Sequence, residues 1–366
     1  METINNDFNS EECEKKMNRL NIFYHSPKEL TTDAFWVWLL YFLDSDEKYR
    51  TAKQSLFDSL ILRDKDKGRN VGQISVERQK AGHHGRVDFV FTFTFLDEMS
   101  TQQVLFEDKT WSSTTDNQLT GYKEDYPEAY RYFYYKLAYI NKGERECAER
   151  CGFDIITARM MEACLSSFCS EHVLIKDYRD YIKDKFADYI ESFDSRLFDN
   201  REYDLLWDAQ VQLFLADRIL DVFPKWREQG FYVYNGTSSG RPWTEISISE
   251  SNPIIPGYDE SIFWRIDIRK GQFYIRLNQY SWYEDDELGS ISNKKRERLK
   301  VLREISNNIL SRDAYSLKQG KPTDVGSFEQ EIVIFFLPEN DWETIFKDIP
   351  RFTEAFLESY RNTLPH

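Results

Sequence analysis

The chain has no apolar run near the ~20 residues that a membrane-spanning helix needs; its greasiest piece, "FWVWLLYFL" at 35–43, has the length of a buried helix. The first residues, "METINNDFNSEECEKK", show neither a basic start nor an apolar core, so a secretory leader is not expected. Cysteines are few as well. The five, Cys13, Cys147, Cys151, Cys164 and Cys169, are an odd number, which fits free thiols in a reducing cytoplasm. Four of them fall within 147–169, but their spacings match no zinc or iron–sulfur pattern, and "ERECAERC" and "MMEACLSSFC" read as ordinary helices. Positive charge is in deficit: the net charge is −15 over 366 residues, which argues against a surface built to hold nucleic acid without specificity. It does not exclude nucleic acid as a substrate, because a local basic surface or bound metal ions can supply the charge. There is no Pro/Gly/Ser-rich linker, no internal repeat and no low-complexity tract.

What is present is a folded chain, 41% hydrophobic and 16% aromatic. Helices are expected at 29–43 and 47–62. Strands follow at 72–80, 87–96 and 102–109, joined by short turns into an antiparallel meander. A helix at 116–126, capped by Asp116 or Asn117, leads to a strand at 130–140, a helix at 144–151, a strand at 153–157, and helices at 158–169 and 174–192. This order makes an α/β plan with a mixed central sheet flanked by helices. From about 195 the pattern restarts: a helix at 204–223, strands at 231–236 and 243–250, a hairpin at 263–280 turning at Lys270–Gly271, a basic helix at 293–310, a strand at 331–337 and a helix at 341–361. The expected domains are therefore 1–195 and 196–366, the second an α+β unit of unassigned role.

One strand ends against expectation. In "QQVLFEDKTW" (102–111) an apolar run finishes in Glu107, Asp108 and Lys109, and charges entering a core are costly unless paired or metal-bound. Alternate strand residues share a face, so Glu107 and Lys109 point together and Asp108 points away. Asp88 begins the neighbouring strand of the hairpin and is expected to meet Glu107 at one sheet edge. Two carboxylates and a lysine there suit Mg²⁺, which takes a few oxygen ligands and fills its shell from water or phosphate. Taken alone, Glu107 and Lys109 also read as a surface ion pair. His83 and His84 read as exposed turn residues, "NKKRER" (293–298) as a solvated helix face, and the tyrosines of 130–140 as strand packing.

An acid on one strand followed by (Asp/Glu)-x-Lys on the next resembles the PD-(D/E)XK nuclease superfamily. Here the pattern is Asp88 … Glu107-Asp108-Lys109. "ELTTDAFWVWLL" (29–40) is similar to the first helix of many bacterial members, placing Glu29 towards the metal. "GRVDFVF" (85–91) resembles the strand of the first acid, and "NQLTGYKE" (117–124) the helix after the lysine, which carries Gln118 and Tyr122. The likeness covers about 22–140. Val87 stands where the motif name has Pro, and Thr32 followed by Asp33 where related sequences often have His. "TWSSTT" after Lys109 also departs from the usual loop.

The resemblance implies a restriction-endonuclease-like core that hydrolyses phosphodiester bonds. Asp88, Glu107 and the Asp108 backbone carbonyl would hold Mg²⁺ (Mn²⁺ as a substitute), with Glu29 completing the shell. Lys109 would position or deprotonate the attacking water, and Gln118 and Tyr122 would hold the nucleic acid. DNA is the expected substrate, in a cytoplasmic role such as defence against foreign DNA, with a protein partner or a homo-oligomer left open. A catalytically silent nucleic-acid-binding or scaffold protein, or a nuclease acting on RNA, remain the alternatives.

Overall fold

A computed structural model describes residues 21–25, 29–98, 100–167, 172–248, 258–283, 288–320 and 329–363. The chain divides into two compact units, Met1–Ser192 and Phe193–His366.

The first unit is built on a five-stranded mixed sheet: β1 (Val71–Ala81), β2 (Arg86–Phe95), β3 (Ser100–Lys109), β4 (Arg131–Lys136) and β5 (Asp154–Thr157), in that spatial order. The first three strands pair antiparallel, whereas β4 joins β3, and β5 joins β4, in parallel. Parallel neighbours need crossovers. α3 (Asp116–Asp125) supplies the one between β3 and β4, and α4 (Lys142–Arg150) the one between β4 and β5. The strand order runs steadily outward, so two right-handed crossovers place both helices on one face. The other face carries α1 (Glu29–Asp44), α2 (Arg50–Leu56), α5 (Ala158–Ser167) and α6 (Val173–Ile182), packed in a large aromatic core around Trp36, Phe89, Phe91, Phe106 and Tyr178.

A sheet covered on both sides should lose the alternation of a half-exposed strand. In β2, Phe89, Val90 and Phe91 are indeed buried in succession. Phe89 and Phe91 join the α1 core, and Val90 joins a second core with Leu105, Leu119, Tyr122 and Tyr134 under α3 and α4.

Several local features differ from the sequence expectation. The helix expected at 47–62 is a 3-10 turn (Glu47–Tyr49), α2 and a wider π turn (Phe57–Ile61). At the end of that segment Arg131 Nη1 donates to the Ile61 and Leu62 carbonyls, each at 3.1 Å. The strand expected at 130–140 stops at Lys136. α3 is capped by Thr115 rather than Asp116 or Asn117: the Thr115 hydroxyl accepts from the Gln118 backbone N–H at 3.4 Å. Thr-x-x-Gln is a capping-box spacing, but the Gln118 side chain is engaged elsewhere.

The second unit has a six-stranded antiparallel sheet, ordered β10-β11-β9-β8-β7-β6, with β6 at Tyr232–Ser238, β7 at Arg241–Ser247, β8 at Tyr258–Arg269, β9 at Gln272–Tyr283, β10 at Lys318–Gln319 and β11 at Glu329–Phe336. The β8–β9 hairpin turns at Lys270 (φ 51°) and Gly271 (φ 74°), the left-handed pair that a two-residue turn requires. Of the basic run 293–298, the side chains of 293–296 lie outside the described residues. Arg298 does not form part of a solvated face: it is buried against Glu260 at 2.6 Å and Tyr360 at 2.8 Å. Among the described residues, no helix in either unit is long and apolar enough to cross a membrane.

Candidate metal and phosphodiester site

The C-terminal end of β3 stands at the edge from which both parallel crossovers depart, the position where open α/β sheets carry their ligand sites. Phe89 pairs with Phe106 across β2 and β3, so one step on, Asp88 faces Glu107 on the α3 side of the sheet. Their carboxyls share a hydrogen bond, and Asp88 Oδ2 also accepts from the Asp108 backbone N–H at 2.8 Å. Lys109 Nζ lies 2.5 Å from Glu107 Oε1.

α3 closes this group from above. Gln118 Nε2 donates to Glu107 Oε1 at 2.7 Å and to the Tyr122 hydroxyl at 2.9 Å, and Tyr122 donates in turn to the Arg86 carbonyl at 3.0 Å. Asp88, Glu107, Lys109, Gln118 and Tyr122 thus come together as one connected set. Glu29, at the start of α1, sits at the rim, where Ser112 Oγ donates to its Oε1 at 2.7 Å. Asp108 turns to the opposite face: its carboxylate accepts from the Thr32 hydroxyl and hydrogen-bonds Asp33, deep under α1. Of Asp108, only the backbone is on the Glu107 side.

Electrostatics follow from burial and crowding. Burial, then the neighbouring Asp88 charge, pushes Glu107 up to about 7. Burial followed by Asp88 does the same to Asp33, also to about 7. Asp88 is raised chiefly by burial, and Asp108 is raised well above its ordinary value by burial and then Asp33. For Lys109, burial favours the neutral form, but Glu107, Asp88 and Glu29 outweigh it and raise the ammonium. Tyr122 is pushed up to about 12 by burial and Glu107.

The donor set fits a hard divalent cation. Glu107 is 1% exposed, and its Oε2 has no hydrogen-bond partner, an arrangement that is costly for a carboxylate unless a cation faces it. Oxygen donors from Asp88, Glu107 and the Asp108 carbonyl are the ligand chemistry of Mg²⁺ or Mn²⁺.

Two further groups belong to this neighbourhood, and neither is singled out by the motif. Asp33 is 1% exposed with an unpartnered Oδ1. Lys136 pairs with Lys109 in the β3–β4 register, is 2% exposed, and reaches Glu144 at 3.0 Å. Burial lowers the Lys136 ammonium, partly offset by Glu144. A lysine inside "YRYFYYKLAYI" is the same signal as the charges ending β3: a charged residue in a strand otherwise fit for the core. His84 stands apart, exposed, with its ring 3.0 Å from Asp125 and 3.2 Å from Glu124 on the far end of α3.

Among the described residues, one group of three or more His, Cys, Asp or Glu side chains has its donor atoms all within 4.8 Å of one another: Asp116, Cys147 and Cys151. The sequence spacing of the cysteines does not reveal it, because the third donor comes from another helix. Comparison with protein-family models, with characterised proteins and with solved structures found no match for this chain.

Proposed function

We propose that the chain is a Mg²⁺-dependent phosphodiesterase acting on nucleic acid, with DNA as its substrate, on a restriction-endonuclease-like core. The observation that carries this reading is the meeting of Asp88, Glu107 and Lys109 on one sheet face, with a buried Glu107 oxygen that lacks a protein partner. Asp88, Glu107 and the Asp108 carbonyl would hold the metal, and Mg²⁺ bound there supplies Lewis acidity at the phosphate. Lys109, kept charged by the carboxylates around it, holds the attacking water by hydrogen bond and stabilises negative charge developing on the phosphoryl oxygens. Gln118 fixes the Glu107 carboxylate and is itself braced by Tyr122, so α3 sets the angle of the ligand. The surrounding carboxylates repel a phosphodiester until cations offset them, which makes substrate binding depend on metal.

The test is cleavage by wild type and Lys109→Ala of supercoiled, linear and single-stranded DNA and of RNA, with Mg²⁺, Mn²⁺ or EDTA. Metal-dependent cleavage by wild type and its loss in the variant are expected. A folded wild type that cleaves none of these would remove the enzymatic reading, and cleavage confined to RNA would change the substrate.

A further inference from the structure

α3 carries Gln118 into the site, and two residues earlier it presents Asp116 towards α4. Cys147 and Cys151 stand four apart at the end of α4, hence on one helix face. Each is 8% exposed. Both thiols are directed at the same residue: Cys147 bonds the Asp116 carboxylate, and Cys151 Sγ lies 3.9 Å from the Asp116 carbonyl oxygen. Thr120 Oγ1 is a further polar neighbour, 3.6 Å from Cys151 Sγ. Asp116 itself is exposed and forms an ion pair with Arg150 at 2.5 Å, so one side of the group is open to water.

We propose that Asp116, Cys147 and Cys151 form a binding site for a thiophilic divalent cation of the Zn²⁺ class, with water as the fourth ligand. Two sulfurs and one carboxylate oxygen are borderline-soft donors that suit tetrahedral Zn²⁺ and do not suit Mg²⁺, so this site and the β3 edge select different ions. Binding replaces the two thiol protons, which leave to solvent, with one ion. Two thiolates and a carboxylate then carry three negative charges, which the divalent ion and Arg150 balance. The ion would tie the first turn of α3 to the end of α4 and thereby fix the helix that holds Gln118. The proposal does not depend on the nuclease reading.

The probe is Co²⁺, titrated into the reduced full-length protein and followed by thiolate-to-cobalt charge-transfer absorption. Oxygen-ligated Co²⁺ at the β3 edge gives no such band. One equivalent of Co²⁺ developing the band, displaced by Zn²⁺, is expected. Cys147→Ser and Cys151→Ser should abolish it, and Cys164→Ser, elsewhere in the core, should keep it. Asp116→Asn alters an exposed residue and should weaken Co²⁺ affinity by at least about 10-fold. A reduced, folded wild type without the band, a band that survives both serine variants, or unchanged affinity in Asp116→Asn would each overturn the three-ligand site.

Discussion

Lys109 Nζ and Glu107 Oε1 lie 2.5 Å apart on the α3 face of the sheet, the glutamate buried and the lysine half-buried, so the lysine is held as an ammonium in contact with the carboxylate proposed to bind the metal. Lys109→Ala should lower the cleavage rate by about 10²–10⁴-fold, the range of a positioned proton-transfer or charge-stabilising group. Lys109→Arg keeps the charge but replaces a compact donor with a planar fork, and should not restore the rate. Single-turnover cleavage at saturating metal measures both.

Gln118 reaches Glu107 at 2.7 Å from a neighbouring helix, which makes it a positioning residue. Gln118→Ala should cost about 10–100-fold in activity or metal affinity, as removal of a ligand's hydrogen-bond partner does. Gln118→Glu should cost more, because it sets a second carboxylate against Glu107. Mg²⁺ dependence of the rate in the three proteins orders them; an alanine variant as active as wild type would exclude the role.

Glu107 and Asp33, both pushed up to about 7, make a pH prediction for the protein in EDTA. Their folded values exceed the unfolded ones, 4.5 and 3.8. Below the unfolded values both states are protonated and the stabilisation is complete. Between there and about 7 the unfolded chain has released protons that the folded chain retains, so stability falls as pH rises. Lys109 is also raised, but it acts only above its usual 10.5, outside that window. Glu107→Gln removes one such proton: relative to wild type, the variant should gain stability from about pH 5 to about pH 8. Added Mg²⁺ should stabilise wild type more than the variant. Urea unfolding across the range gives both comparisons.

Thr32 donates its hydroxyl to the wholly buried Asp108, whose Oδ1 is already without a partner. Thr32→Val keeps the shape and deletes the donor, leaving Asp33 as the remaining partner of the Asp108 carboxyl. A loss of about 1–3 kcal/mol is expected in urea unfolding. Substituting Asp33→Asn in that background keeps a hydrogen-bonding group beside Asp108 without the neighbouring carboxylate, and should recover part of the loss.

How far the sequence reaches depends on how local each cause is. The Phe- and Val-rich run of β2, the Lys270–Gly271 turn and the charges closing β3 are set by neighbours in the chain, and each is legible there. Asp88 beside Glu107 is legible too, because a hairpin fixes its own register. What escapes depends on partners distant in sequence. Arg298 looks like part of a solvated basic run until Glu260, 38 residues away, is found against it. Asp116 meets Cys147 only because two crossovers put α3 and α4 on one face. Thr115 takes the cap ahead of Asp116 and Asn117, a choice that composition does not make among three good capping residues.

Lys136 and Glu144, 3.0 Å apart with side chains 2% and 4% exposed, form a buried ion pair just beneath the site. Lys136 also donates to the Ser112 carbonyl, and Tyr134 donates its hydroxyl to Glu144, so the charges are embedded in a small network. Such a pair adds little to stability compared with apolar residues of the same volume, but breaking it leaves one charge unpaired in the interior. Lys136→Met and Glu144→Leu alone should therefore each destabilise by about 3–5 kcal/mol, while the double variant should lie nearer wild type than either. Ser112 links this pair to Glu29, so activity need not follow stability. If the double variant folds like wild type yet cleaves more slowly, Lys136 serves the site by holding the loop of Ser112 against Glu29. If it is stable and fully active, the pair serves the fold alone.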